Sequence, residues 1–596
     1  MEIIYYLIGL PVIAGLLCFL LSDRARILIW GIAFDVCLVL FGAISILFVK
    51  KPTLSEGMFM WDNLTNLTLL GTAFFGLIVC IYSYKMIDRL LGRYYGCFLL
   101  TIGAAIGVAL SNNLILMSVF WGILAITLYL MINLGGPEAA YPAKKTLIIV
   151  GGSDSFLILG IAILWALTGS LNISEIKVEI DRWLAAAAFL SLVSASFAKA
   201  GAMPFHTWIP EISEKAPVSV MAFLPASLDK LLGIYLLARI CLNLFNYHET
   251  MWFLLSLMGA ITIVGAVFLA LVQHNMKKLL AYHAVSQVGY MVIGIASGNP
   301  IGIAGGLFHM VNHAIYKCCL FLGAGSVEKQ AGTTDLDNLG GLGRSMPLTF
   351  IGFLFASFAI SGIPPFNGFF SKWMIYQGLV ESGKTGDQSW ILWIVMAMIG
   401  SGLTLASFMK IIHATFLGSF SENLKSKDIR ESHPIMLISM VLLAVLCLVF
   451  GIFFIRIPLL KLIIPVVPDV SLDSIFNLPL PIYLLLSGFA LGLLLYYTIF
   501  FPQKRRIITS FIGGEKQSSE MTISGTDFYN QIKKAAFLNR IYFYSEKKYT
   551  DIYDFLKSAV DYFTKGFMAA HTGVLGTYLT WVIFGMLIFL YIYIKW

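Results

Sequence analysis

Two stretches of this chain combine a proline break with a lysine in an otherwise apolar setting. The first is FAKAGAMPFHTWIPE, from Phe197 to Glu211, with Lys199 and Pro204. The second is SGIPPFNGFFSKWM, from Ser361 to Met374, with Pro364, Pro365 and Lys372. An ammonium at the centre of a membrane helix costs about 3 kcal/mol, so such lysines read as functional. Proline breaks alone are common in membrane helices. Two breaks in matching places, both with lysine, point instead to an ion path. Holding that charge in hydrocarbon is costly, and a nearby carboxylate offsets the cost. Moving or breaking such a pair would load or release a proton.

Other ionisable residues could extend the path. The segment GLFHMVNHAIYKCCLFLGAG carries His309, His313 and Lys317 at steps of four, so all three share one helical face. Histidine titrates near neutrality and its two ring nitrogens can accept and donate, which suits a proton relay. Two histidines without a third strong ligand do not make a zinc site, and no metal is expected. Asp229 and Lys230 are adjacent in MAFLPASLDKLLGIYLLAR. Neighbouring helical residues diverge by about 100°, so they need not pair with each other. Asp154, in GGSDSFLILG, is the carboxylate of the preceding spanning segment and a candidate partner for Lys199, as is Asp229. His283 in LLAYHAVSQVGYM and His206 beside the first break are weaker candidates. The set Lys199, Lys230, His313, Lys317 and Lys372 suggests a hydrated polar axis. Its groups exchange protons, whereas Na⁺ needs oxygen ligands, so the proton is the favoured cargo.

The elements that position these groups are membrane helices. The chain is 59% hydrophobic and 12% charged, with a mean hydropathy of +0.86. That excludes a soluble domain. About sixteen stretches of spanning length recur between 3–21 and 573–594, among them 301–325, 348–379 and 480–501. Long continuous apolar runs imply helices and not a barrel. The first stretch lacks a basic leader and a small-residue cleavage site, and reads as a retained helix. Basic residues concentrate in alternate loops, including Arg24 and Arg26, Lys144 and Lys145, and Lys277 and Lys278. The positive-inside rule makes those loops cytoplasmic and puts both termini outside, in a plasma (inner) membrane. The eight cysteines form no CxxC pair, and no Gly-rich nucleotide fingerprint is present. No cofactor is expected in this chain.

The chain divides into N-terminal helices over 1–93, two five-helix blocks over 94–249 and 250–417, and further helices over 418–501. A cytoplasmic loop and amphipathic lateral helix follow over 502–572, then a C-terminal anchor over 573–596. Each block has its broken helix in fourth place. Because five is odd, the two blocks would be inverted relative to each other. Residues 526–566 contain no proline, and their apolar residues recur at helical spacing. They read as one in-plane helix running to about 60 Å.

The segments KAGAMPFHTWIPE, QHNMKKLLAYHAVSQVGYM, LFHMVNHAIYKCCLFLGAGSV and LGGLGRSMPLTFIGFLFASFAISGIPPFNGFFSK resemble the antiporter-like subunits. This is the family shared by respiratory complex I, energy-converting membrane-bound hydrogenases and multisubunit Na⁺/H⁺ antiporters. The resemblance covers about residues 60–420. It implies an all-α polytopic fold with two inverted five-helix repeats, broken at the seventh and twelfth helices. It also implies that Lys199, Lys230, Lys317 and Lys372 match the family's proton-carrying lysines, with a lateral helix and final anchor at the end. One departure stands out. The family usually has Trp-Glu in its fifth helix, the Glu pairing with the seventh-helix lysine. Here VFWGILAITLYL puts Gly122 after Trp121.

The expectation is therefore an ion-pumping subunit without a catalytic centre of its own. It would sit among other membrane subunits, with soluble Fe–S, NiFe or flavin subunits doing the redox chemistry and no nucleic-acid partner. A membrane-bound hydrogenase is the first host expected and complex I the second. A secondary Na⁺/H⁺ antiporter and an inorganic-carbon uptake complex are the alternatives.

Overall fold

The computed structural model describes residues 2–384, 386–418, 420–470, 479–495, 497–498, 526, 529, 532, 535–547 and 551–595. It is helical throughout, apart from one antiparallel hairpin, β1 (Leu54–Glu56) with β2 (Phe59–Trp61). The helices before the first break are α1 (Glu2–Leu20), α2 (Arg26–Lys50), α3 (Asn63–Met86), α4 (Leu91–Leu110), α5 (Leu114–Asn133), α6 (Ala140–Thr146), α7 (Gly152–Thr168) and α8 (Trp183–Ala200). After it come α9 (Trp208–Ser213), α10 (Val218–Phe223), α11 (Asp229–Arg239), α12 (Glu249–Leu271), α13 (Met276–Ala296), α14 (Pro300–Ala331) and α15 (Pro347–Ser361). The second break leads to α16 (Asn367–Lys384), α17 (Trp390–Phe416), α18 (Glu422–Lys425), α19 (Pro434–Ile452) and α20 (Pro479–Leu495). A separate compact unit begins at Ala535 and holds α21 (Ala536–Glu546), α22 (Ile552–Ala570) and α23 (Leu575–Lys595).

Among the described residues, thirteen helices are long and apolar enough to cross a membrane, so this is a multi-pass membrane protein. Three of the expected spans are not among the thirteen, for separate reasons. α14 is long enough, but His309, Asn312, His313 and Lys317 dilute its hydropathy. The stretch 348–379 is broken into α15 and α16. The last, 480–501, is described as a helix only over Pro479–Leu495.

Side-chain oxygens start several helices by satisfying the first free N–H groups. Asn113 caps α5, Asn275 caps α13 and Asn299 caps α14, with amide-to-oxygen distances of 2.9–3.3 Å. Small residues then set the spacing of the bundle. A methyl group added at Gly289 would lie 2.4 Å from the Gly259 carbonyl of α12, and one at Gly378 would lie 2.4 Å from Cα of Gly302. α13 and α16 therefore pack backbone-close to their neighbours, and α14 lies buried among them.

The amphipathic tail differs from the expected single helix. α21 ends at Glu546, and a new helix starts after Asp551, whose carboxylate accepts from the Tyr553 amide at 3.0 Å. An N-cap residue is non-helical, so the cap divides the segment. The part over 502–525 lies outside the described residues.

An ion pair ties the first repeat to the preceding helices. Arg239, at the end of α11, holds both oxygens of Asp62 at 2.6 and 2.7 Å, and Asp62 also caps α3 through the Thr65 amide at 2.9 Å. Burial favours the neutral carboxyl, but the Arg239 guanidinium outweighs this and keeps Asp62 below the usual carboxylate range. The pair's stabilisation is thus full above the ordinary carboxylate pKa and falls as pH drops through the lower folded value. Asp62→Asn should lower thermal stability by about 2 kcal/mol at neutral pH and flatten the acid limb of a melting-temperature-versus-pH curve. An unchanged acid limb would show that this pair does not hold the fold.

Candidate functional site

Both breaks have the same local build. α8 ends at Gly201 with φ +75°, and α15 ends at Gly362 with φ +78°. Glycine adopts this left-handed conformation without a Cβ penalty. Each break contains a cis X-Pro bond, Met203–Pro204 and Pro364–Pro365. Breaking a helix leaves backbone carbonyls without their intrahelical partners. In both repeats a buried lysine supplies the donor. Lys230 donates to the Ala200 carbonyl, and Lys372 donates to the Ile360 carbonyl at 2.9 Å. The glycines make room, since a Cβ at Gly201 would lie 3.1 Å from Lys230 Nζ and one at Gly362 would lie 3.3 Å from Lys372 Cδ.

This corrects the equivalence read from the sequence. Lys199 precedes its break, on α8, whereas Lys372 follows its break, on α16. By contact, Lys372 corresponds to Lys230 of α11, not to Lys199. The breaks fall at the seventh and twelfth of the expected spans, 184–204 and 348–379, as the resemblance implies.

Lys199 is buried with its Nζ 3.8 Å from Asp229 Oδ1, and it makes no hydrogen bond among the described residues. The Trp121 ring lies beneath it, with 5.4 Å from Nζ to the centroid. Asp229 therefore pairs with Lys199 and not with adjacent Lys230. Asp154 of α7 is within electrostatic reach of Lys199 and beside Trp121. It also lies next to the missing acid: a Cβ built on Gly122 would meet only Asp154 Oδ2, at 3.9 Å. A carboxyl of α7 thus lies beside the position where the family's fifth-helix acid would stand.

Lys230 is within electrostatic reach of His313 and Lys317. On α14, His313 has no hydrogen bond among the described residues, while Lys317 donates to the Leu280 carbonyl at 2.7 Å. His309 bonds Ser371 at 2.9 Å and Gln287 at 3.1 Å. Ser371 precedes Lys372, which lies within electrostatic reach of His309 and His283. His283 bonds the Ser407 hydroxyl at 2.7 Å. His206 is buried beside the first break. Asn312 and Asn367 lock α14 to the start of α16 through two bonds of 2.9 and 3.0 Å.

Several contributors were not legible in the sequence. Ser371, Gln287 and Asn367 are ordinary polar residues until folding aims them. Lys145, a loop charge by its place in the sequence, has its side chain buried on α6 and pairs with Glu211 of α9 at 2.8 Å. Lys410 lies in a long apolar stretch, where an intramembrane lysine is itself a signal. Among the described residues no group of three or more His, Cys, Asp or Glu is placed to hold a metal ion.

A multi-pass helical protein with two broken helices and a buried row of lysines, histidines and carboxylates has the design of an antiporter-like membrane protein. Residues 111–404 match the family described as NADH:quinone oxidoreductase/Mrp antiporter, TM. NADH-quinone oxidoreductase subunit N of Desulforudis audaxviator is 31% identical over 367 residues, covering 60% of this chain and 72% of the relative. The chain belongs to this family. The A1 subunit of the Na(+)/H(+) antiporter of Staphylococcus haemolyticus is 34% identical over 420 residues, covering 66% of this chain and 52% of the relative. The chain spans about half the length of such antiporter relatives. In fold it is similar to a chain of the membrane-bound sulfane sulfur reductase (MBS), an archaeal respiratory membrane complex. The TM-score is 0.79 at 22% identity, covering 98% of this chain and 99% of that one.

Gly201→Ala tests the local build of the first break. A left-handed alanine costs about 1 kcal/mol, and its methyl group would overlap Ile209 Cδ1 at 2.1 Å. Purified Gly201→Ala protein should melt earlier, by about 2 kcal/mol in all, whereas Gly122→Ala, mid-helix and with only an ordinary contact to Asp154, should melt no earlier than the parent.

Proposed function

We propose that this chain moves protons across the membrane as one component of a larger, redox-driven complex. The observation that carries this reading is the buried row from Asp154 and Lys199, through Asp229 and Lys230, to His313, Lys317, His309 and Lys372. Every member of it can bind or release a proton. Four lysines face two carboxylates, so the row cannot hold all its charges paired at once. A proton arriving at one end changes which neighbours repel, and pairs such as Lys199–Asp229 open or close in response. Asp154 acts as the carboxylate that the fifth helix lacks.

The redox-driven host is supported by the fold likeness that includes nearly the whole chain, which is to a chain of a respiratory membrane complex. The hydrogenase expected first as host finds no specific support among the relatives. A second reading, a component of a Na⁺/H⁺ antiporter without redox partners, is favoured by the relatives named as Na(+)/H(+) antiporter subunits. Gentle purification from the native membrane separates the two. Co-purifying Fe–S or flavin subunits support the first, and small membrane subunits alone support the second. On either reading the protein would sit in the plasma membrane among other membrane subunits, with the Lys277 and Lys278 loop on the cytoplasmic side.

Lys317→Ala should cut coupled proton movement by at least about tenfold while the complex still assembles, and Lys372→Ala should act alike. Normal pumping by either would sink the proposal. Asp154→Asn should also impair pumping, and adding Gly122→Glu to that variant should restore it. Gly122→Glu alone crowds two acids and should restore nothing.

A further inference from the structure

Within the row described above, Lys317 is in electrostatic reach of Lys230 and His313. A second line of polar groups leaves it at this point. Lys317 Nζ sits 5.6 Å from the centroid of the Phe408 ring of α17, and the His283 ring lies against the same phenyl group at 5.0 Å. His283 is fully buried; its Nε2 bonds Ser407 at 2.7 Å, and its Nδ1 has no hydrogen bond among the described residues. A neutral imidazole presents one donor and one acceptor, so an open ring nitrogen in the interior is costly unless something visits it. One turn further along α17, on the same side as Ser407, lies buried Lys410. Its ammonium donates to the carbonyls of Leu271, at 3.0 Å, and Gln273, at 2.8 Å, where α12 ends. The next residue, His274, is partly exposed and bonds Asp337 at 2.8 Å. Lys277 and Lys278 mark the same face.

We propose that His283, Ser407 and Lys410 form a side branch carrying protons between Lys317 and the protein surface at His274 and Asp337. This rests on the proton-translocating reading of the buried row. The hydroxyl of Ser407 accepts a proton from one neighbour as it gives its own to the next, so no charge needs to rest on it. The His283–Ser407 step is a direct hydrogen bond. A bridging water would complete each of the other steps, Lys317 to His283 past Phe408 and Ser407 to Lys410. Phe408 touches both Lys317 and His283, so a change of its ring rotamer would open or shut the branch.

The test uses the intact complex in liposomes, with proton flux under an imposed pH gradient followed by a trapped dye. Ser407→Ala and His283→Gln should each slow flux about tenfold and enlarge the slowing caused by D₂O, with subunit composition unchanged. Lys410→Met should do the same. If that variant fails to assemble, Ser407→Ala, which removes one buried hydroxyl, decides the matter. Parental flux in Ser407→Ala and His283→Gln, with flux lost in Lys317→Ala, overturns the branch and leaves the row standing. Slower flux with an unchanged D₂O effect assigns these residues to packing and also overturns the branch. Parental flux in Lys317→Ala overturns the row and the branch together.

Discussion

A buried lysine donating to the freed carbonyl of a broken helix is the constraint on which the rest of this structure depends. Neither partner is stable in hydrocarbon alone. The carbonyls at the ends of α8 and α15 have lost their intrahelical donors, and an unsatisfied backbone group in the membrane costs several kcal/mol. An ammonium is as unwelcome. Lys230 at Ala200 and Lys372 at Ile360 answer both problems together. The carbonyl dipole at a helix C-terminus also favours a cation. The break is therefore a seat for a charge, and each repeat has one.

The seats fix what surrounds them. Glycine must stand at 201 and 362, both for backbone conformation and to admit the lysine. α14 must pass close to both seats, which its glycine contacts allow. Its polar face then bridges the two repeats: His313 and Lys317 lie near Lys230, while His309 lies near Lys372. Lys372 at its seat is held by the carbonyl dipole, whereas Lys230 has both the Ala200 carbonyl and the charge of Asp229 within reach. Lys199 differs. It faces Asp229 and Asp154 and makes no hydrogen bond among the described residues.

The surroundings of Gly122 show how a carboxylate can reach the same space from another helix. What a lysine senses is the distance to negative charge, not the helix that supplies it. Gly122 opens a space on α5, and Asp154 of α7 lies beside that space.

The residue types and their spacing alone determined that this is a many-helix membrane protein, that two of its helices are broken at proline, and that Lys199, Lys230, Lys317 and Lys372 are buried. Hydrocarbon is an unforgiving solvent, so apolar length and the rare charge within it are legible along one dimension. The steps of four that align His309, His313 and Lys317 are likewise a property of one helix. Pairing is not. Which acid serves Lys199, which lysine seats on which break, and the burial of Lys145 and Lys410 depend on contacts between helices far apart in the chain. The division of the tail at Asp551 escaped the sequence reading because a single capping carboxylate outweighed an unbroken helical period. Tertiary structure decided these matters because an ion pair or a hydrogen bond is set by ångström-scale distances, and those arise only when separate helices pack.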